Sequence, residues 1–251
     1  AQLRSLVFVY LGRLTVVYFF CQALLLFGTL RYPRLLADFF SSESHALNLA
    51  IFRVAFFANV LPRVSLKKTL HLIGLPAESR VAPPGLSWWV ENLPESQSLH
   101  VALYVAFVVA CILSVVGLWT RYACFVATLL TAYLLGITQF FGKIEHQHYL
   151  VWIGALLSVS PCADVLSIDA WRKNGLASWL AWPKSVRYGL PLRCVWLFLG
   201  VLYFFPGLWK FVFSGANWFL SDNLRSRMLL RMFVSEGWDP VFPVYEFPML
   251  C

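Results

Sequence analysis

The stretch from Arg193 to Trp218 constrains this chain most, because it is long and apolar enough to cross a bilayer and yet carries Lys210. Such a lysine either lines a protein interior or reaches back to the lipid–water boundary along its own methylene stem. Both readings stand at this point. On a 3.6-residue period, Arg193, Trp196, Gly200, Tyr203, Gly207 and Lys210 share one face, opposite a surface of Leu, Val and Phe. The glycines leave room beside that face. Pro206, one turn before Lys210, cannot donate to the carbonyl of Leu202 and is expected to bend the helix. A bent helix presenting a free carbonyl, a phenol and an amine suits a membrane-buried site. A lysine in dry, aromatic surroundings can serve there as a general base.

The rest of the chain matches that stretch in character. Of its 251 residues, 60% are hydrophobic and 13% charged, against about 45–50% and about 25% in soluble domains. The expected fold is all-α, a multi-pass transmembrane helical bundle with interfacial helices and, by segment length, about six spans. Those spans are read at 5–30, 46–62, 99–118, 122–141, 149–160 and 193–218. The short link around Trp119, Thr120 and Arg121 makes the third and fourth an antiparallel hairpin. The fifth is short, so it either re-enters or continues through Cys162–Ile168. Ser44 is a plausible N-cap for the second, and Leu86–Leu93 reads as an interfacial helical turn anchored by Trp88 and Trp89. Residues 164–190 read as a polar loop on the membrane surface, with a basic tail helix (Arg225, Arg227, Arg231) following the key span.

The net charge of +8 sits in loops and at segment ends, which points to lipid headgroups rather than nucleic acid as partner. Lysine and arginine divide nine to seven between the two sides of the bundle, which sets no orientation. The six cysteines form no C-x-x-C pair and read as buried free thiols. No phosphate loop, dinucleotide fingerprint or nucleophile elbow is present.

Among ionisable groups, Arg53 lies in the middle of a short apolar segment with Asn48 and Asn59. At that depth an arginine costs about 2.5–3.5 kcal/mol unless it faces the bundle and finds a partner, so a hydrogen-bond clamp between helices is favoured over catalysis. Glu145, His146, Gln147 and His148 form the densest cluster. On a helix the two imidazoles diverge, and no third ligand is near, so no metal is expected. A proton-handling or quinone-contacting role competes there with a solvated loop. Asp164 and Asp169, five apart, do not share a helical face and read as loop and cap residues.

Several patterns occur in a telling order. They are Leu49-Ala50-Ile51-Phe52-Arg53, then Gly117-Leu118-x-x-Arg121, then His148-Tyr149-Leu150, then Ser167-Ile168-Asp169-Ala170, then Tyr203-x-x-x-Gly207-x-x-Lys210 with Trp218 downstream. Together they resemble the membrane domain of the vitamin K-dependent gamma-glutamyl carboxylase family and its relatives, the horizontally transferred transmembrane domain proteins. The resemblance covers residues 45–235, between an N-terminal helix and loop (1–44) and a tail (236–251) in which Glu246-Phe247-Pro248 resembles the start of a family helix that is then cut off.

The resemblance implies a bundle whose polar interior accepts vitamin K hydroquinone or another quinone, with a carboxylase- or epoxidase-like activity. In that family, oxygenation of the hydroquinone yields a base that removes a glutamyl gamma proton, and the carbanion takes up carbon dioxide. The family's essential lysine falls on Lys210 and its following tryptophan on Trp218. His146 and His148 straddle the place of the family's functional histidine, with Gln147 between them. The implied catalytic set is Lys210, His148 and His146; Tyr203, Gly207, Trp218 and Arg53 are the implied cofactor-binding set. The family's large luminal portion, which holds the protein substrate, has no counterpart in these residues. A second expectation is therefore a non-catalytic accessory subunit that keeps the fold as a scaffold in a larger membrane complex.

Overall fold

The computed structural model describes residues 30–81, 87–141, 147–175 and 183–215, with isolated positions at 19, 23, 26–28, 226 and 230. The first expected span and the basic tail helix lie outside these residues, apart from those isolated positions. The chain divides into two compact units, residues 1–195 and 196–251. In order, the described elements are α1 (Pro33–Ser41), β1 (Ser44–His45), α2 (Ala46–Val60, extended by a 3-10 turn to Arg63), α3 (Leu66–Ile73), α4 (Ser87–Glu91), α5 (Gln97–Val116), α6 (Thr120–Gln139), α7 (His148–Val159), α8 (Ile168–Asn174), β2 (Lys184–Ser185) and α9 (Val186–Ser214). The fold is all-α. Among the described residues a small ribbon pairs Ser44 with Ser185 and His45 with Lys184.

Four helices among the described residues are long and apolar enough to cross a membrane, at Ala46–Arg63, Gln97–Val116, Thr120–Gln139 and Val186–Val212. The chain is an integral membrane protein. At 12 residues, α7 is apolar but reaches only about 18 Å, short of a hydrocarbon core of about 30 Å. It ends at Val159, and the segment that follows is non-helical up to Ser167, so the fifth span does not continue through Cys162–Ile168.

In the first unit, α5 and α6 form the expected hairpin, α7 packs on α6, and α2 packs on α5. Ser96 caps α5, its hydroxyl accepting from Leu99 N at 3.3 Å. Gly117 ends it at φ 77°, and Leu118 N donates back to Leu113 O at 3.1 Å, the closing bond of a Schellman turn. The buried side of α6 is built of small groups, Ala123, Cys124, Ala127, Thr128 and Thr131, with Leu134 and Leu135 further along. Small side chains let helices approach closely in a membrane, where apolar contact with lipid competes equally with contact between helices. At the closest approach Gly154 of α7 faces Thr128, and a Cβ on Gly154 would collide with that side chain. Two buried hydroxyls are satisfied within their own helix: Thr128 donates to Cys124 O and Thr131 to Ala127 O, each at 2.7 Å. Val101, Val105, Val109, Ile112 and Val116 run down the outer side of α5 and remain exposed, the face a span offers to lipid.

Two expectations need correction. Ser44 does not cap α2: His45 holds the cap position, without a side-chain bond, because Ser44 is committed to the ribbon with Ser185. Its hydroxyl instead accepts from Asn48 Nδ2 at 3.2 Å. Residues 164–190 are not one loop, since they hold α8 and the start of α9, which begins seven residues before Arg193. α9 runs as one helix from Val186 to Ser214, with Pro206 inside it. The interfacial turn is found as α4, where Trp88 and Trp89 are both well exposed and meet edge to face at 5.3 Å.

Candidate functional site

Among the described residues of the first unit, the most elaborate polar constellation is built around Arg53. Its side chain is fully buried. Nη1 donates to Cys162 O at 2.7 Å, and Nη2 donates to Leu166 O at 2.6 Å and Val115 O at 3.4 Å. Those carbonyls belong to the end of α5 and to the segment between α7 and α8. Both are places where helix ends or loops leave backbone acceptors without helical partners. A planar guanidinium offers several donors in a fixed fork and can serve two loops at once. Arg53 is thus the expected clamp, with backbone carbonyls as its partners. Its Nε has no hydrogen-bond partner among the described atoms.

Around the clamp the chain is bent tightly. Trp119 and Leu166 are the non-glycine residues with positive φ among those described, at 46° and 48°. Such conformations persist only when their surroundings over-determine them. Leu166 is held by the bond its carbonyl accepts from Arg53. Trp119 is held by Asp169, whose Oδ1 accepts from Trp119 N at 3.0 Å. Asp169 Oδ2 accepts from both Thr120 N and Thr120 Oγ1 at 2.8 Å. Asp169 therefore caps α6, a helix 49 residues earlier in the chain, while Ser167 caps α8 by accepting from Ala170 N at 2.9 Å. Burial pushes the Asp169 carboxyl up, but the hydrogen bonds from Thr120 and Trp119, with Arg172 nearby, outweigh it and hold the group below the ordinary carboxylate value. Gly117 completes the arrangement. A Cβ there would collide with Ser167 and lie 3.1 Å from Arg53 Nη2.

At the far end of the same unit, His100 is fully buried and Tyr133 partly so. His100 Nδ1 lies 2.8 Å from Ser96 O and so carries the proton, leaving Nε2 to accept from Tyr133 Oη at 3.0 Å. Nearby in sequence, Arg80 bonds Glu95 at 2.9 Å, with its own side chain only 4% exposed. Arg80 Nε and Gln147 Oε1 are buried and have no hydrogen-bond partner among the described atoms. His148 is exposed as the first residue of α7. The Arg53 guanidinium, bonded just beyond the other end of α7, is separated from it by about 18 Å of helix. The fold does not bring these two together. His146 and Trp218 lie outside the described residues.

In the second unit, α9 carries Tyr203, Gly207 and Lys210 at i, i+4 and i+7, as the period requires. All three are exposed, Tyr203 by 71%, and a Cβ added at Gly207 would meet nothing among the described residues.

Sequence reasoning passed over His100 and Tyr133, which read as ordinary members of clean spans. Their signal was faint: two polar rings inside apolar runs, 33 residues apart. Cys111, Cys124 and Cys162 are buried free thiols and Cys194 is a half-buried one, as expected from their spacing. In comparisons with known proteins, no family model matches the chain, and neither a curated protein nor a solved structure does.

Proposed function

We propose that this integral membrane protein binds a quinone or a similar lipid along the Tyr203–Gly207–Lys210 face of α9, in the manner of the carboxylase-like family its sequence resembles. The observation that carries the reading is that open face: a phenol, a gap without a side chain and an amine, in register on an otherwise apolar helix. The donor set fits a quinol. Gly207 admits a flat ring against the backbone, Tyr203 Oη can donate to a ring oxygen, and Lys210 Nζ can hold or accept a hydroxyl proton. A bound hydroquinone would supply the reducing chemistry; carboxylase or epoxidase activity follows only if a substrate glutamate also reaches it. Arg53, with its Nη atoms committed to carbonyls, enters this reading through the fold. His148, Gln147, His146 and Trp218 are its remaining candidates.

The test is binding of a reduced menaquinone or vitamin K analogue to the purified protein, wild type against Lys210→Met. Saturable binding weakened about tenfold or more by loss of the amine supports the reading. Absence of binding by a folded wild type overturns it.

A second reading, a non-catalytic scaffold subunit of a membrane complex, has its own support. Arg53, Gly117, Ser167 and Asp169 all belong to patterns that carry the family resemblance, and all are spent on one structural knot. Patterns of that kind report a fold rather than a chemistry. Co-purification with a stoichiometric membrane partner, in a protein that binds no quinol, would favour it.

A further inference from the structure

The hairpin end of the first unit holds a cavity of about 700 Å³, walled by the α5–α6 turn, residues 163–165, α8 and the approach to α9. Its basic groups are Arg121, Arg172 and Lys173, all exposed. Its acidic groups are Asp164 and Asp169: Asp169 is half-buried and spent on internal donors, and Asp164 is exposed with one oxygen held by a buried tyrosine. Asp169 caps α6 with three hydrogen bonds, and Asp164 Oδ2 accepts from Tyr188 Oη at 2.9 Å. The cations of the lining thus outnumber its carboxylates three to two, and Lys184 and Arg187 follow closely along the chain from Pro183.

The depth of the cavity is set by the helices beside it. It opens where α6 begins at Thr120 and just past the end of α7 at Val159, the level at which apolar spans give way to headgroups. Trp119, Tyr122 and Trp171 are each more than half exposed beside those cations. Aromatic rings interleaved with arginine and lysine at that level suit a ligand with an acidic head and an apolar body. Arginine in particular matches the oxygen geometry of phosphate.

We propose that this cavity binds a phosphate-bearing anion, with Arg121, Arg172 and Lys173 around the phosphate and Trp119 and Tyr122 against its less polar part. An acidic phospholipid of the surrounding leaflet and a soluble phosphate ester share that chemistry, and experiment separates them. This site is independent of the Lys210 face and of any quinone.

The test uses the full chain in neutral-detergent micelles, with thermal unfolding followed during titration with phosphatidylglycerol, phosphatidylcholine or glycerol 3-phosphate. Phosphatidylglycerol is expected to raise the unfolding temperature saturably, and phosphatidylcholine to fall well short of it. Each removed cation should raise the half-saturating concentration about fivefold, so that Arg121→Gln/Arg172→Gln/Lys173→Gln raises it about a hundredfold. A charge-matched control at the far end, Arg63→Gln/Lys67→Gln/Lys68→Gln, should leave it within about twofold. Should the cavity triple fail to fold, the exposed single change Lys173→Gln, with its fivefold expectation, decides the matter. A response to glycerol 3-phosphate without lipid assigns the site to soluble esters; a response to the lipid alone assigns it to the leaflet. Equal responses to the two lipids, an unchanged half-saturation in the folded cavity variants, or an equal loss in the control overturns the proposal.

Discussion

At the hairpin end of the first unit, Arg53 divides its donors among three backbone carbonyls, and Asp169 takes three donors from the start of α6. At the far end the polar groups are paired more thinly. His100 and Tyr133 share one bond, Arg80 leans on Glu95, a largely exposed carboxylate, and Arg80 Nε and Gln147 Oε1 stay unpartnered among the described atoms. Two buried arginines thus do different work. The first joins segments distant in sequence, where a lost bond strands a backbone acceptor that is buried or partly so. The second uses an ion pair open to water, a kind of contact that contributes little.

The contrast is sharpest under substitution. Arg53→Met should destabilise the fold by about 3 kcal/mol or more, because its carbonyl partners are left without their donors. Arg53→Lys should recover only part of this, since one ammonium cannot reproduce the fork. Thermal unfolding in a mild detergent measures both, and an Arg53→Met protein as stable as the wild type would break the comparison. Gly117→Ala comes next, at about 2 kcal/mol, from the positive φ and the collision with Ser167. Its effect should fall only in part in the Ser167→Gly background, because the Cα of residue 167, 2.8 Å from the added Cβ, and the positive φ both remain; a double-mutant cycle reads that coupling directly.

Asp169→Asn should cost about 1 kcal/mol through its weakened cap, and acid should mimic it. The folded carboxyl lies below its ordinary value of 3.8, so its contribution is complete above that value. It is lost as pH falls from there through the lower folded value. Unfolding midpoints of wild type and Asp169→Asn should therefore converge in acid and diverge above it; parallel curves would mean that the Asp169 charge does not stabilise the start of α6. The smallest effect belongs to the far end, where Tyr133→Phe removes one neutral hydrogen bond for about 1 kcal/mol or less. A loss there as large as that from Arg53→Met would invert the comparison.

Apolar runs and their punctuation made the spans legible, because a span needs only length and composition. The hairpin turn was legible too, from a link too short for anything else. Arg53 could be read as a clamp from its cost alone, but its partners could not, since backbone carbonyls have no sequence signature. Asp169 illustrates the same boundary. Pattern reading places a carboxylate within its own helix or loop, whereas in the folded chain it serves a helix begun 49 residues earlier. Ser44 failed as a cap because a ribbon partner 141 positions away, Ser185, competed for its backbone. On α9 the spacing of Tyr203, Gly207 and Lys210 was fully legible, since helical register is a local property. What occupies that face is not written in the spacing.

The clamp also bears on how the protein is made. Arg53 is synthesised before any of its acceptors: Val115 follows it by 62 residues, Cys162 by 109 and Leu166 by 113. At about 5–20 residues per second, the ribosome delivers the last of them about 6–23 s later. Through that interval α2 is a weak passenger for the insertion machinery, a short apolar segment burdened by an unanswered charge. Its residence in the bilayer becomes secure only when the loop after α7 emerges. Although α2 is translated before α5 and α6, it is thus committed after them, and chain order and assembly order part company.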